Sequence, residues 1–111
     1  MASRDFLALL DQMKDVHTRK NAGYAGVGAT DPWANFRMAN LFGVSSFTGC
    51  LVRMSDKFIR IGNVLKNPDA DQVSESIEDT LMDLAVYCLI AICLWREAHP
   101  KKKSKKKLKK K

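Results

Sequence analysis

Four carboxylates, Glu75, Glu78, Asp79 and Asp83, follow one another at spacings of three, one and four residues. On a helix turning about 100° per residue they fall within roughly 140° of arc and share one broad face. Upstream, Arg53, Asp56, Lys57 and Arg60 sit three and four residues apart, which makes them neighbours on a second helical face. Acids and bases on facing helices admit two readings. One is a salt-bridge network on the surface of a bundle. The other is a divalent-cation site, because Mg²⁺ takes oxygen ligands, keeps several waters and is held by a few carboxylates together with substrate phosphate. In that second reading Asp56, Glu75, Glu78, Asp79 and Asp83 are the metal-ligand candidates. Arg53, Lys57 and Arg60 then hold phosphate oxygens, arginine through its forked guanidinium.

The elements that must position these groups are helical throughout. Residues 4–19 read as a first helix, with Phe6, Leu9, Leu10, Met13 and Val16 at helical spacing. Residues 20–37 read as a long loop, with three glycines, Pro32 and no sustained periodicity. Long ordered loops tend to be functional, and this one mixes Tyr24, Trp33 and Phe36 with Lys20, Asn21, Asn35 and Arg37. Asp31-Pro32 suits the cap and first position of a short helix reaching about Leu41, which Gly43 ends. A third helix is expected over 46–66, capped by Ser45 or Ser46, with a stripe of Phe47, Leu51, Met54, Phe58, Ile61 and Leu65. The segment 67–71 is a turn, and Ser74 is the expected cap of a last helix over 75–98, stopped by Pro100. No stretch alternates like a strand, so the expected class is all-α: three long helices and a short one. The short turn makes the last two long helices antiparallel, pairing 65 with 76, 61 with 80 and 57 with 84, so that Asp56, Lys57 and Arg60 approach Asp79 and Asp83.

Composition bounds the partners. The chain has 111 residues, enough for one domain, expected over 1–100. Nine of its 19 basic residues are lysines of 101–111, so residues 1–100 carry 10 bases against 12 acids, a net charge of −2. The lysine tail lacks apolar content and is expected to be disordered; its charge draws it toward polyanions, DNA or RNA, without sequence preference. Three cysteines, Cys50, Cys88 and Cys93, with no CxxC spacing, suit reduced thiols in the cytoplasm, and Cys88 and Cys93 read as small buried hydrophobes. The uncharged run 84–95 is twelve residues long, short of the roughly 20 that a membrane span needs, so no membrane partner is expected. A run apolar on every side is buried on every side, which in so short a chain implies a homo-oligomer, a dimer or tetramer. No GxSxG, Walker A or HExxH pattern occurs.

Four blocks in this order, Lys20-Asn-Ala-Gly-Tyr24, Asp31-Pro-Trp-Ala-Asn-Phe-Arg37, Arg53-Met-Ser-Asp-Lys-Phe-Ile-Arg60 and Glu75 to Tyr87, resemble the nucleotide modification associated domain 1 family, common in bacteriophages and bacteria. That family in turn looks like the all-α nucleotide pyrophosphatases of the MazG type. The resemblance spans about residues 5–97. It implies a helical protein that binds a nucleotide with Mg²⁺ and hydrolyses a (deoxy)nucleoside triphosphate to monophosphate and pyrophosphate. It places Lys20, Asn21, Tyr24, Trp33, Asn35 and Arg37 around the ligand beside Arg53, Lys57 and Arg60, with a base stacked on Tyr24 or Trp33. Glu78, Asp79 and Asp83 become the catalytic carboxylates, activating a water through the metal. The chain departs from the paired acidic motifs of MazG-type enzymes: Thr80 stands where a glutamate is expected three before Asp83, and Arg53 and Asp56 stand where an ExxE pair is expected. Those departures favour a non-catalytic nucleotide-binding or sequestering module as the alternative, and a nucleic-acid-associated helical oligomer is the third reading.

Overall fold

The computed structural model describes residues 2–25 (side chains through Lys20), 31–69 and 76–101. The fold is all-α: α1 Arg4–Ala25, α2 Ala34–Arg37 running into a 3-10 turn at Met38–Phe42, α3 Ser46–Lys66 and α4 Ile77–Ala98. Among the described residues no strand occurs, and no helix is long and apolar enough to cross a membrane.

Local chemistry sets each boundary. Ser3 Oγ accepts the Phe6 N–H at 3.2 Å and starts α1. The helix runs six residues past the expected end at 19, through Lys20-Asn-Ala-Gly-Tyr-Ala25. Two alanines and no proline keep that stretch helical, and one interior glycine costs only about 1 kcal/mol. The segment expected to be loop from Lys20 is thus partly the last turn and a half of α1. α2 begins later than Asp31-Pro32 suggested. Asp31 instead forms a side-chain turn, its Oδ1 accepting the Trp33 N–H at 3.0 Å, and the helix opens at Ala34. Gly43 closes the 3-10 turn at φ 77°, a left-handed conformation that disfavours any side chain, while the Val44 N–H reaches Ala39 O at 3.2 Å. Ser45 Oγ caps α3 through Thr48 N–H, and Ser76 rather than Ser74 caps α4 through Asp79 N–H, each at 3.0 Å.

α3 and α4 pack antiparallel, and their side-chain bonds pair 57 with 83 and 60 with 80, one residue from the expected register. The hydrophobic core gathers at one end of this pair: Phe36, Cys50, Val86, Ile90, Ala91 and Leu94, with Met13, Val16, Trp33, Phe47, Met54 and Tyr87 around them. Gly49 lets α3 approach the 3-10 turn, since a Cβ there would stand 2.8 Å from Ala39 Cβ. Phe36 meets Tyr87 edge-on, and the Arg53 guanidinium lies 4.9 Å over the Phe36 ring.

Three apolar expectations are corrected. The buried residues of α3 are Cys50 and Val64, with Lys57 half-buried between them; of the expected stripe Phe47 and Met54 pack against the core, while Leu51, Phe58 and Leu65 face solvent. The first half of α1 leaves Phe6, Leu7, Leu9 and Leu10 exposed, so its stripe has the right period and little cover among the described residues. Cys88 and Cys93 are exposed and only Cys50 is buried. Within 84–95 the buried positions are Ile90, Ala91, Leu94 and Val86, while Leu89, Ile92 and Trp95 are about half exposed.

Candidate functional site

At the opposite end of the α3–α4 pair the interface is polar. Asp83, only 9% exposed, accepts from two lysines brought by two other helices. Lys20 Nζ, near the end of α1, lies 2.8 Å from Asp83 Oδ1, and Lys57 Nζ on α3 lies 3.2 Å from Oδ2. One turn earlier, fully buried Thr80 accepts from Arg60 Nε at 3.1 Å and gives its own hydroxyl proton to Ser76 O at 3.2 Å. Three cationic side chains from α1 and α3 thus converge on one turn of α4. The extension of α1 past residue 19 is what delivers Lys20.

Two spaces adjoin this turn, and a third lies beyond them. A polar cleft of about 320 Å³ lies between α1 and α4, lined by Gln12, Val16, Arg19, Lys20, Asp79, Met82 and Asp83. On another side, Lys20 and Asp83 also line a narrow cavity of about 30 Å³ with His17, Asn35, Phe36 and Tyr87. That is room for about one water. Asn35 Oδ1 is buried there with no hydrogen-bond partner among the described residues. His17 is shared in turn with an apolar chamber of about 300 Å³ walled by Trp33, Leu10, Met13 and Ile90. The His17 and Trp33 rings are 6.0 Å apart and tilted by 31°.

The expected site residues therefore divide. Lys20, Asp79 and Asp83 line one cleft, Lys57 and Arg60 reach the same turn of α4 through Asp83 and Thr80, and Asn35 and Trp33 line the neighbouring spaces. Arg53 is turned toward the core, over Phe36, with its Nη2 3.5 Å from Asn35 O. Arg37 is engaged elsewhere: Nε donates to Asp31 Oδ2 at 2.6 Å, Nη2 to Asp31 Oδ1 at 3.2 Å, and Nη1 and Nη2 reach the two Glu97 oxygens at 3.1 Å each. This double fork raises the Arg37 pKa and lowers that of Asp31, Arg37 being the first cause for Asp31 and the Trp33 N–H the second. Arg37 is a clamp from the 31–37 segment to the end of α4. Asp56 is exposed on the outer side of α3, and Glu78 is exposed and borders the apolar groove that holds Phe6 and Leu81. Glu75, the side chains of Asn21 and Tyr24, and residues 102–111 lie outside the described residues.

Asp79 and Asp83 are the two carboxylates facing the polar cleft, one helical turn apart. Among the described residues no group of three or more His, Cys, Asp or Glu is placed to hold a metal. Two hard oxygen donors still fit Mg²⁺ when phosphate completes its shell, as this ion commonly binds through one or two carboxylates. Gln12 and Arg19 were not expected at the cleft. Their spacing of 12, 16, 19 and 20 on α1, a polar line with Lys20 around Val16, is the signal that marks them. Cys50 takes no part: burial pushes its thiol up to about 11, and its Sγ donates to Tyr87 O at 3.5 Å. No family model, curated protein or solved structure matches the chain.

Proposed function

We propose that the chain binds a phosphorylated small molecule of the nucleotide class in the polar cleft between α1 and α4. Lys20, which lines the cleft, holds the phosphates together with Lys57 and Arg60, which reach the same turn of α4 from α3 outside the cleft's lining, and Asp79 and Asp83 would hold an Mg²⁺. One observation carries the reading: a nearly buried carboxylate receives an ammonium from each of two other helices at the edge of a polar cleft. A paired charge held out of water contributes little or nothing net to folding compared with apolar packing. Such an arrangement is readily explained as a site. With phosphate bound, Lys20 and Lys57 would turn to its oxygens, leaving the Asp83 carboxylate free to ligate a cation beside Asp79. Bound Mg²⁺ supplies charge neutralisation and a more acidic water. The chain's own contribution is to orient the phosphates with Lys20, Lys57 and Arg60 and to hold the two carboxylates one turn apart.

The resemblance to the nucleotide modification associated domain 1 family, and through it to all-α nucleoside-triphosphate pyrophosphatases, supports a (deoxy)nucleotide as ligand and pyrophosphohydrolysis or nucleotide modification as the activity. The chamber beside Trp33 and His17 suits a base. Three free cysteines accord with a cytoplasmic setting, that of the host if the chain is phage-borne. A specific observation favours a second reading, a nucleotide-sequestering module without hydrolysis. Thr80 and Arg53 occupy positions where the resemblance expects acids, and Arg53 faces the core.

The test is a panel of (deoxy)nucleoside triphosphates with Mg²⁺, followed by calorimetric binding and by pyrophosphate release. Binding weakened at least about tenfold in Lys57→Ala, with release lost in Asp83→Asn, supports the enzyme. Binding with no release from the wild type supports the module. Absence of binding to any nucleotide, phosphate or pyrophosphate at millimolar concentration overturns both.

A further inference from the structure

Between the charged turn and the apolar chamber lies the narrow cavity of about 30 Å³, in series with the spaces on either side. It shares Lys20 and Asp83 with the polar cleft and His17, Val86 and Ile90 with the chamber, whereas cleft and chamber share no lining residue. From Asp83 to Ile90 α4 rises about 10 Å, so a ligand reaching from the charged turn into the chamber passes over this cavity. One polar atom in its wall is unsatisfied: Asn35 Oδ1 is buried without a hydrogen-bond partner among the described residues. An acceptor left in that state costs stability, and folding alone gives no reason to keep it. The residue is also held in place. Its carbonyl accepts from Arg53 Nη2 at 3.5 Å, and its neighbour Phe36, 4% exposed, is set in the core.

From this we infer that Asn35 Oδ1 is the acceptor for one sugar hydroxyl of the ligand, which makes Asn35 the residue that reads the pentose. The inference rests on the nucleotide reading given above. With phosphates at Lys20 and a base beside Trp33, the sugar is the part of the ligand that lies over the cavity. The volume there admits one water-sized group, which excludes a ring or a phosphate and suits a hydroxyl. The hydrogen-bonding sense agrees. An anionic phosphate oxygen brings no proton to Oδ1 and would be repelled by Asp83, which borders the same cavity. A hydroxyl donates its proton to Oδ1 and keeps lone pairs for a neighbouring donor such as Lys20. Recognition of the sugar then resides in one amide, separate from the side chains that hold phosphate and from the chamber that takes the base.

The test is calorimetry on the full chain with Mg²⁺. The probes are inorganic tripolyphosphate and the triphosphates of the standard bases, each carried on ribose, 2′-deoxyribose, 3′-deoxyribose and 2′,3′-dideoxyribose. For the base that binds best, removing one of the two hydroxyls is expected to weaken binding about tenfold, the worth of one hydrogen bond between neutral groups. The series itself shows whether the 2′ or the 3′ group is read. In Asn35→Leu, close in volume and without polar atoms, that ratio is expected to fall below about twofold, while tripolyphosphate affinity changes by less than about twofold. Asn35→Ala is the second variant should the leucine fail to fold, and the sugar series on the wild type needs no variant at all. Equal binding of all four sugars by the wild type overturns the inference, and so does discrimination that survives removal of the amide. Both results leave nucleotide binding standing. A wild type that binds no nucleotide more tightly than tripolyphosphate, or binds neither, overturns the nucleotide reading and this inference with it.

Discussion

The same pair of helices has two different interiors. Where the first half of α3 meets the second half of α4, the contact is dry: Cys50, Ile90, Ala91 and Leu94 close over Phe36. Where the second half of α3 meets the first half of α4, Val64 is buried along with two polar groups, Thr80 and Asp83, bonded to Arg60, Lys57 and Lys20. The first interior holds the helices together and the second holds charge in position. A bundle built for stability alone would carry the dry packing along its whole length, since apolar replacement of buried ion pairs is often neutral or favourable. The polar half is the part of the interface that folding does not account for.

That contrast can be broken most severely at Leu94, 2% exposed in the dry half. Leu94→Ala is expected to cost about 2–5 kcal/mol, read as a drop in thermal midpoint at fixed protein concentration. The polar half should respond differently to losing one charge than to losing the pair. Asp83→Asn leaves two ammonium groups facing an amide and should cost roughly 1–3 kcal/mol, discounted because Lys20 is about half exposed. Asp83→Leu combined with Lys57→Met should return stability to within about 1 kcal/mol of the wild type while abolishing phosphate-ligand binding. A double variant as unstable as Asp83→Asn would show that the charges are structural after all.

Smaller effects sharpen the comparison. Ser45 and Ser76 make the same cap at the two ends of the pair, so each change to alanine should cost about 1 kcal/mol. Only Ser76→Ala should also weaken ligand binding in titrations, because its first turn carries Asp79 and its carbonyl anchors Thr80. The smallest effect is expected from pH, through the Arg37 clamp on the dry side. The folded pKa of Asp31 lies below its ordinary 3.8, chiefly because Arg37 bonds it. The stabilising contribution is therefore complete above about pH 4 and is lost as pH falls through the lowered value. Tryptophan fluorescence during acid titration should show a transition near Trp33 that Arg37→Gln removes.

The register of α3 against α4 was legible to within one residue, because a short turn between two long periodic helices leaves little freedom. With it came the meeting of Lys57 with Asp83, while Arg60, expected at Asp79 and Asp83, bonds Thr80 between them. Asp56 was misplaced because its spacing from Arg53 and Arg60 is as helical as theirs from each other. Spacing alone does not say which edge of a polar flank turns inward. The stripe Phe47 to Leu65 reads as one continuous apolar face, yet the fully buried residues of α3 are Cys50 and Val64 beside it. The first half of the stripe does meet the core, through Phe47 and Met54, and Phe47 touches Trp95 of α4, while Leu51, Phe58 and Leu65 point outward, so the apolar period alone did not say where along α3 the cover ends. Lys20 was named from a resemblance. Its partner became visible only when α1 was found to continue through Ala25, past a glycine-containing stretch that reads as loop. Arg37 misled because a guanidinium suited to phosphate suits two carboxylates equally well, and Glu97 is sixty residues away in sequence.

The exposed apolar residues of α1 bear on how much folded protein a cell obtains from a given amount of synthesis. Phe6, Leu9 and Leu10 are open to proteases and chaperones wherever nothing covers them. Any partner that bound this face of the folded chain and not the unfolded one would raise the midpoint of unfolding with its own concentration. The persistence of the chain would then follow the supply of its cover as much as the rate of its own synthesis.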